Sequence, residues 1–190
     1  MRIILLSGGS GKRLWPLSND TRSKQFLKLL RRHDGTHESM VQRVYRQIRE
    51  SGIDATVTIA TSIAQVDSIK SQLGNNVEIV TEPERRDTFP AIALASTYLS
   101  MECGCSDDEV VVVMPVDQYT EEEYFKTSQK IAEAVAQGEA ELVLMGVKPT
   151  FPSSKFGYII PQAGGVASPY KVDSFKEKPD EVEAERLIEA

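Results

Sequence analysis

The sequence predicts an α/β fold, with a mostly parallel sheet carrying helices on both faces. Short apolar runs rich in β-formers alternate with segments of helical period as far as residue 147. The first and the most apolar of these runs show no polar alternation, as expected of strands covered on each side. Consecutive parallel strands need crossover connections, and helices supply them.

The elements follow in order. Arg2–Leu6 reads as a first buried strand. Ser39–Glu50 reads as a helix, with Met40, Val41, Val44, Tyr45 and Ile48 on one face and Ser39 with Gln42 as a capping box. Thr56–Ala60 is a second strand. Ser62–Leu73 is a helix with Ser62 and Gln65 as its box. Val77–Val80 is a third strand, and Phe89–Met101 a helix capped by Thr88, with Pro90 tolerated in its first turn. Glu109–Met114 is the most apolar strand and is expected at the centre of the sheet. Thr120 with Glu123 opens another helix, where three glutamates favour the positive end of the dipole. Glu141–Val147 reads as a strand. The rhythm then changes: Tyr158–Ile160 and Tyr170–Phe175 read as strands with no helix between them. A last helix starts near Asp180 and reaches Ala190 without a glycine stop, so the domain of residues 1–190 is expected to be incomplete on its C-terminal side.

The chain has 190 residues, 41% hydrophobic and 26% charged, with a net charge of −6. That balance suits a globular protein and argues against nucleic acid as a partner, because binding a phosphate backbone needs a basic face. No run approaches the roughly 20 apolar residues of a membrane span. The apolar start before Ser7 is shorter than the about 7–15 residues of a signal core. Cys103 and Cys105 flank a single glycine, too tight for an easy disulfide, and no His or Cys cluster completes a metal set. Free thiols and a cytoplasmic location are the expectation. His33 and His37 lie in a polar stretch and read as surface residues.

In a parallel sheet the ligand loops follow the strands. The first, Ser7-Gly8-Gly9-Ser10-Gly11-Lys12-Arg13-Leu14-Trp15-Pro16-Leu17, can bring backbone N–H groups close to an anion. It is not a Walker A loop, because Arg13 stands where Ser or Thr would follow Gly11-Lys12. It is not a dinucleotide fingerprint, because Leu14 replaces the third glycine. A plain glycine turn with solvated basic residues is the competing interpretation.

This stretch, with Ser23-Lys24-Gln25-Phe26-Leu27 after it, resembles the signature of the sugar-phosphate nucleotidylyltransferases. Trp15 and Lys24–Leu27 look like the mannose-1-phosphate guanylyltransferase branch. Ser23 departs from the family pattern, which has proline before the lysine; the change costs backbone rigidity and no chemistry. Glu82–Ala91 resembles the nucleoside loop of that branch, Met114–Gln118 its metal loop, and Phe156–Ile159 and Phe175–Pro179 its sugar-binding elements. The implied fold is the Rossmann-like sheet of the nucleotide-diphospho-sugar transferases. The implied reaction joins GTP and mannose 1-phosphate into GDP-mannose and pyrophosphate, by in-line attack at the α-phosphorus.

The nucleophile of such a reaction is already anionic, so catalysis means aligning two anions and neutralising moving charge. The resemblance gives Arg13 and Lys24 the catalytic roles. It assigns nucleotide binding to Gly8, Gly9, Ser10, Gly11, Glu82, Asp87 and Thr88, without ranking the groups that read guanine. Asp117 would hold Mg²⁺, which favours carboxylate and phosphate oxygens, with a second aspartate expected beyond residue 190. Gly157, Glu177 and Lys178 would bind the sugar phosphate. Each has a plainer interpretation: a surface arginine, a solvated lysine, a turn aspartate, a helix cap, an alternating charged strand edge. Other expectations are also compatible: the same chemistry with another sugar 1-phosphate or nucleotide, a non-catalytic relative that binds sugar nucleotide, and a homo-oligomeric intact enzyme. The failed glycine fingerprint argues against a nicotinamide dehydrogenase.

Overall fold

The computed structural model describes residues 1–9, 14–19, 22–162 and 169–189, which group into two compact units, Met1–Glu139 and Ala140–Ala190. The first is built on four parallel strands: β1 (Arg2–Leu6), β4 (Thr56–Ser62), β5 (Glu78–Glu82) and β6 (Val111–Pro115), in spatial order β5-β4-β1-β6. A two-residue antiparallel pair, β2 (Leu30–Arg31) with β3 (His37–Glu38), lies apart from it.

Alternate side chains of β1 enter two different cores. Ile3 and Leu5 join Val41, Val44 and Ile48 of α1 (Met40–Glu50), Ile69 of α2 (Val66–Leu73) and Phe125 of α4 (Glu122–Ala136). Ile4 joins Ala60, Val80, and Ala95 and Leu99 of α3 (Thr88–Met101) on the opposite face. The sheet is therefore covered by helices on both sides, a Rossmann-like α/β arrangement.

Several sequence expectations need correction. The apolar strand β6 pairs only with β1 and forms an edge of the described sheet, not its centre. Its valines reflect burial on two faces: Val112 and Met114 pack in one core, Val111 and Val113 in the other. Residues 141–147 form no strand, because no described strand offers them backbone partners; Leu142 and Val147 are exposed. Ser39 and Gln42 do form a capping box, whereas the other two boxes do not form. Ser62 makes no cap, since residues 63–65 turn as a 3-10 helix before α2. Glu121, not Thr120, precedes α4, and the Thr120 hydroxyl is buried without a partner among the described residues. Thr88 is the first residue of α3, and Asp87 holds the cap position with no side-chain bond.

The second unit contains the antiparallel hairpin β7 (Gly157–Pro161) and β8 (Val172–Glu177) and helix α5 (Glu181–Glu189). Asp180 caps α5 by accepting from the Glu183 N–H at 2.8 Å. No helix among the described residues is long and apolar enough to cross a membrane. Cys103 and Cys105 are free thiols, and His33 and His37 are exposed.

Candidate active site at the carboxyl edge of the sheet

Strand order reverses beside β1: the chain steps outward through β4 and β5, then returns to place β6 on the other side. A crevice at such a switch point is where open parallel sheets bind ligands. Both loops that leave this point are held in place. The Val116 N–H donates to the Leu6 carbonyl at 3.2 Å, and the Ser7 N–H to that of Ala60 at 2.8 Å. Beyond β6, Arg43 stacks over the Tyr119 ring at 3.7 Å, and Arg43 and Gln47 both donate to the Thr120 carbonyl. The segment carrying Asp117 is thus tied to α1.

Lys24 and Asp117 meet here. A 3-10 turn over Lys24–Phe26 presents the lysine, whose Nζ donates to Asp117 Oδ2 at 2.6 Å. Both side chains remain partly open, 29% and 42% exposed. A half-solvated pair of this kind adds little to stability. It does hold an ammonium and a carboxylate together at one partly open point.

The residues beside Lys24 were not identified from sequence. Ser23, Gln25, Thr61 and Gln65 are all buried. Ser23 Oγ donates to the Gly9 carbonyl at 2.8 Å, and Gln25 Nε2 donates to that of Ser7 at 2.8 Å. Gln65 Nε2 donates to Ser23 Oγ at 2.6 Å and to the Gly9 carbonyl at 3.1 Å, while its Oε1 accepts from Thr61 at 2.8 Å. Ser23 and Gln25 flank Lys24 in a 3-10 turn, where no periodic pattern marks them, and Gln65 follows the end of β4. Gln65 was assigned to a capping box instead.

On the face covered by α3, a cavity of about 390 Å³ is lined by Leu6, Gly8, Gly9, Glu82, Arg85, Asp87, Thr88 and Ala91. It joins the glycine-rich loop to the loop after β5. Gly8 leaves little room: a Cβ there would sit 3.1 Å from Glu82 Oε1. Glu82 is buried, and desolvation pushes its carboxyl above the ordinary range, with Arg85 pulling it back. Asp87 adopts φ 62° and ψ −163°, a region almost reserved for glycine, so the loop carries backbone strain where it lines the cavity.

The hairpin of the second unit groups Gly157, Glu177 and Lys178. Gly157 lies opposite Glu177, and any Cβ on it would collide with the Phe175 ring and meet Glu177 Oε2 at 3.0 Å. Lys178 takes φ 44°, donates its N–H to the Phe156 carbonyl at 3.2 Å, and pairs with Glu177 at 2.5 Å. Phe156, Gly157, Tyr158 and Phe175 line a cavity of about 1120 Å³. Ser10, Gly11 and Arg13 lie outside the described residues. No group of three or more His, Cys, Asp or Glu able to hold a metal occurs among the described residues.

A parallel sheet with a lysine–carboxylate pair at its switch point and a glycine-lined cavity beside it defines an α/β ligand-binding domain. The chain belongs to the nucleotidyl transferase family, whose model matches residues 2–190. It is 36% identical to the xanthan biosynthesis protein XanB of Xanthomonas campestris over 93% of this chain and 36% of that protein. It is 31% identical to a mannose-1-phosphate guanylyltransferase of Klebsiella pneumoniae, over 97% of this chain and 39% of the relative. The chain thus spans under two fifths of the length of these curated relatives. Among solved structures, a protein described as mannose-1-phosphate geranyltransferase from Thermus thermophilus superposes with a TM-score of 0.73 at 27% identity, covering 99% of this chain and 52% of that one. A Bacillus anthracis protein described as a putative glucose-1-phosphate thymidylyltransferase shares the fold, with a TM-score of 0.61 at 17% identity, over 94% of this chain and 65% of that one.

Proposed function

We propose that residues 1–190 belong to the catalytic domain of an enzyme that transfers a guanylyl group from GTP to mannose 1-phosphate. The observation that carries this is the Lys24–Asp117 pair at the switch point, between the glycine-rich loop and the loop after β6. Lys24 turns from Asp117 to the α-phosphate or the entering sugar phosphate, and its charge lowers the repulsion between two anions. Arg13 adds a planar fork that bridges phosphoryl oxygens as pyrophosphate leaves. No general base is required.

Asp117 fits Mg²⁺ in its chemistry: a partly open carboxylate, a hard oxygen donor, on a loop tied down at both ends. When bound, the ion supplies charge neutralisation at phosphate oxygens. The α3-side cavity is assigned to the base. Guanine offers N1–H and N2–H₂ donors, and two such bonds offset the cost of burying an ionised Glu82. Gly157, Glu177 and Lys178 are assigned to the sugar phosphate; the carboxylate accepts hydroxyl hydrogens and the ammonium meets the phosphate.

The main competing reading is the same transfer with another base or sugar. A panel of GTP, UTP and dTTP, each with mannose 1-phosphate and glucose 1-phosphate, separates them by pyrophosphate release. GTP with mannose 1-phosphate is expected to be fastest. Equal rates with UTP or dTTP would remove the assignment of the base.

A further inference from the structure

Lys24 is bracketed by two buried clamps. The residue before it, Ser23, holds the Gly9 carbonyl; the residue after it, Gln25, holds the Ser7 carbonyl. Gln65, from the turn after β4, bonds to both Ser23 and Gly9 and is itself oriented by Thr61. None of these four side chains is more than 2% exposed. Such groups are not competing with solvent, so their bonds are directional and costly to break.

The effect on the loop follows from peptide geometry. A trans peptide points its C=O and N–H in opposite directions. With the Ser7 carbonyl drawn to Gln25, the Gly8 N–H of the same peptide faces away from that amide. Gly8 and Gly9 line the α3-side cavity. The clamps therefore set the orientation of the glycine backbone and the position of the lysine together.

We infer that Ser23 and Gln65 form a latch of positioning residues, which couples the glycine-rich loop to the turn that presents Lys24. The latch does with three hydrogen bonds what a stiff backbone would do alone. Ser23 already has φ −68°, ψ 163°, the conformation a proline would impose. A proline there would preserve the turn but would leave the Gly9 carbonyl with Gln65 as its sole clamp. The identity of the nucleotide rests on the function proposed above; the latch itself does not.

The test uses Ser23→Ala, Ser23→Pro and Gln65→Met, the last close to glutamine in size. Amide hydrogen exchange is followed in residues 7–9, in residues 24–27 and in β6, and GTP affinity is measured alongside. Ser23→Ala and Gln65→Met are expected to speed exchange in residues 7–9 and to weaken GTP binding by about tenfold, the worth of one buried hydrogen bond. Exchange in β6 stays unchanged. Ser23→Pro is expected to keep residues 24–27 protected while residues 7–9 exchange as fast as in Ser23→Ala. Wild-type exchange in residues 7–9 of both Ser23→Ala and Gln65→Met overturns the latch. Equal acceleration in β6 also overturns it, because the effect would then be global. Loosened exchange with unaltered GTP affinity, in a wild-type chain that binds GTP, overturns the positioning role. If the wild-type chain binds no GTP but the variants loosen the loop, the latch stands and the nucleotide assignment falls.

Discussion

Arg13, identified from its motif, should matter most as charge builds on departing pyrophosphate. Arg13→Ala is expected to lower kcat about 10²-fold, the cost of one strong electrostatic donor, with a much smaller change in GTP affinity. Steady-state kinetics beside equilibrium binding separates the two. Glu82 is set by burial. Its carboxyl titrates above the ordinary Glu value of 4.5, so the folded state binds more protons than the unfolded state between the two values. Folding stability is therefore full below about pH 4.5 and falls as pH rises through the raised value. Glu82→Gln is expected to unfold at a higher temperature than wild type near pH 7, and at the same temperature near pH 4 as far as this group is concerned. Thermal unfolding at both pH values checks it; a gap that persists near pH 4 would mean that packing, not ionisation, is responsible. Lys24, Asp117 and Glu82 were legible in the sequence through the family motifs that contain them. Ser23 and Gln65 stayed hidden, because a buried hydrogen-bonding partner leaves no periodic trace.

Elements were legible where burial alone decides them and obscure where the ends do. Strand β1 matches the expected span to the residue, and helix α1 starts one residue later than expected, with Ser39 and Gln42 closing the cap. The Ser62 and Thr120 boxes fail because neighbouring backbone takes another course: a 3-10 turn follows β4, and the Thr120 carbonyl is held by Arg43 and Gln47. The start of α3 is the strained case. Asp87 makes no capping bond there, yet pays for a conformation that glycine reaches freely. Asp87→Gly removes strain of about 1–3 kcal/mol and loses about 0.5–1 kcal/mol to chain entropy. A net gain of about 1 kcal/mol corresponds to a rise of about 2–4 °C in Tm. Calorimetry that shows a lower Tm would mean that the Asp87 side chain is held by ligand-free contacts worth more than the strain.

For the molecule as a whole, the net charge of −6 frames the chemistry. On the function proposed above, an acidic protein that takes two anionic substrates needs local positive charge, and the proposal gives that work to Arg13, Lys24 and Lys178. Turnover is expected to depend on added Mg²⁺ and to cease in excess EDTA. Full turnover in EDTA would show that these side chains alone suffice, and would remove Asp117 from the metal assignment. The fold class was readable from strand–helix alternation. The division into Met1–Glu139 and Ala140–Ala190 was not, because residues 141–147 carry the apolar pattern of a strand yet pair with no strand among the described residues.

The pairing of β1 also governs how the protein is born. Arg2 lies opposite Thr56 on one side and Val111 on the other, so β1 is synthesised before both of its partners and has both edges paired only once β6 follows. At about 5–20 residues synthesised per second, the Ile3–Leu6 segment waits several seconds as an uncovered, fully apolar ribbon. That interval invites pairing with other nascent chains. Slower elongation between residues 62 and 111 would lengthen it and lower the soluble yield, even though the finished fold is the same.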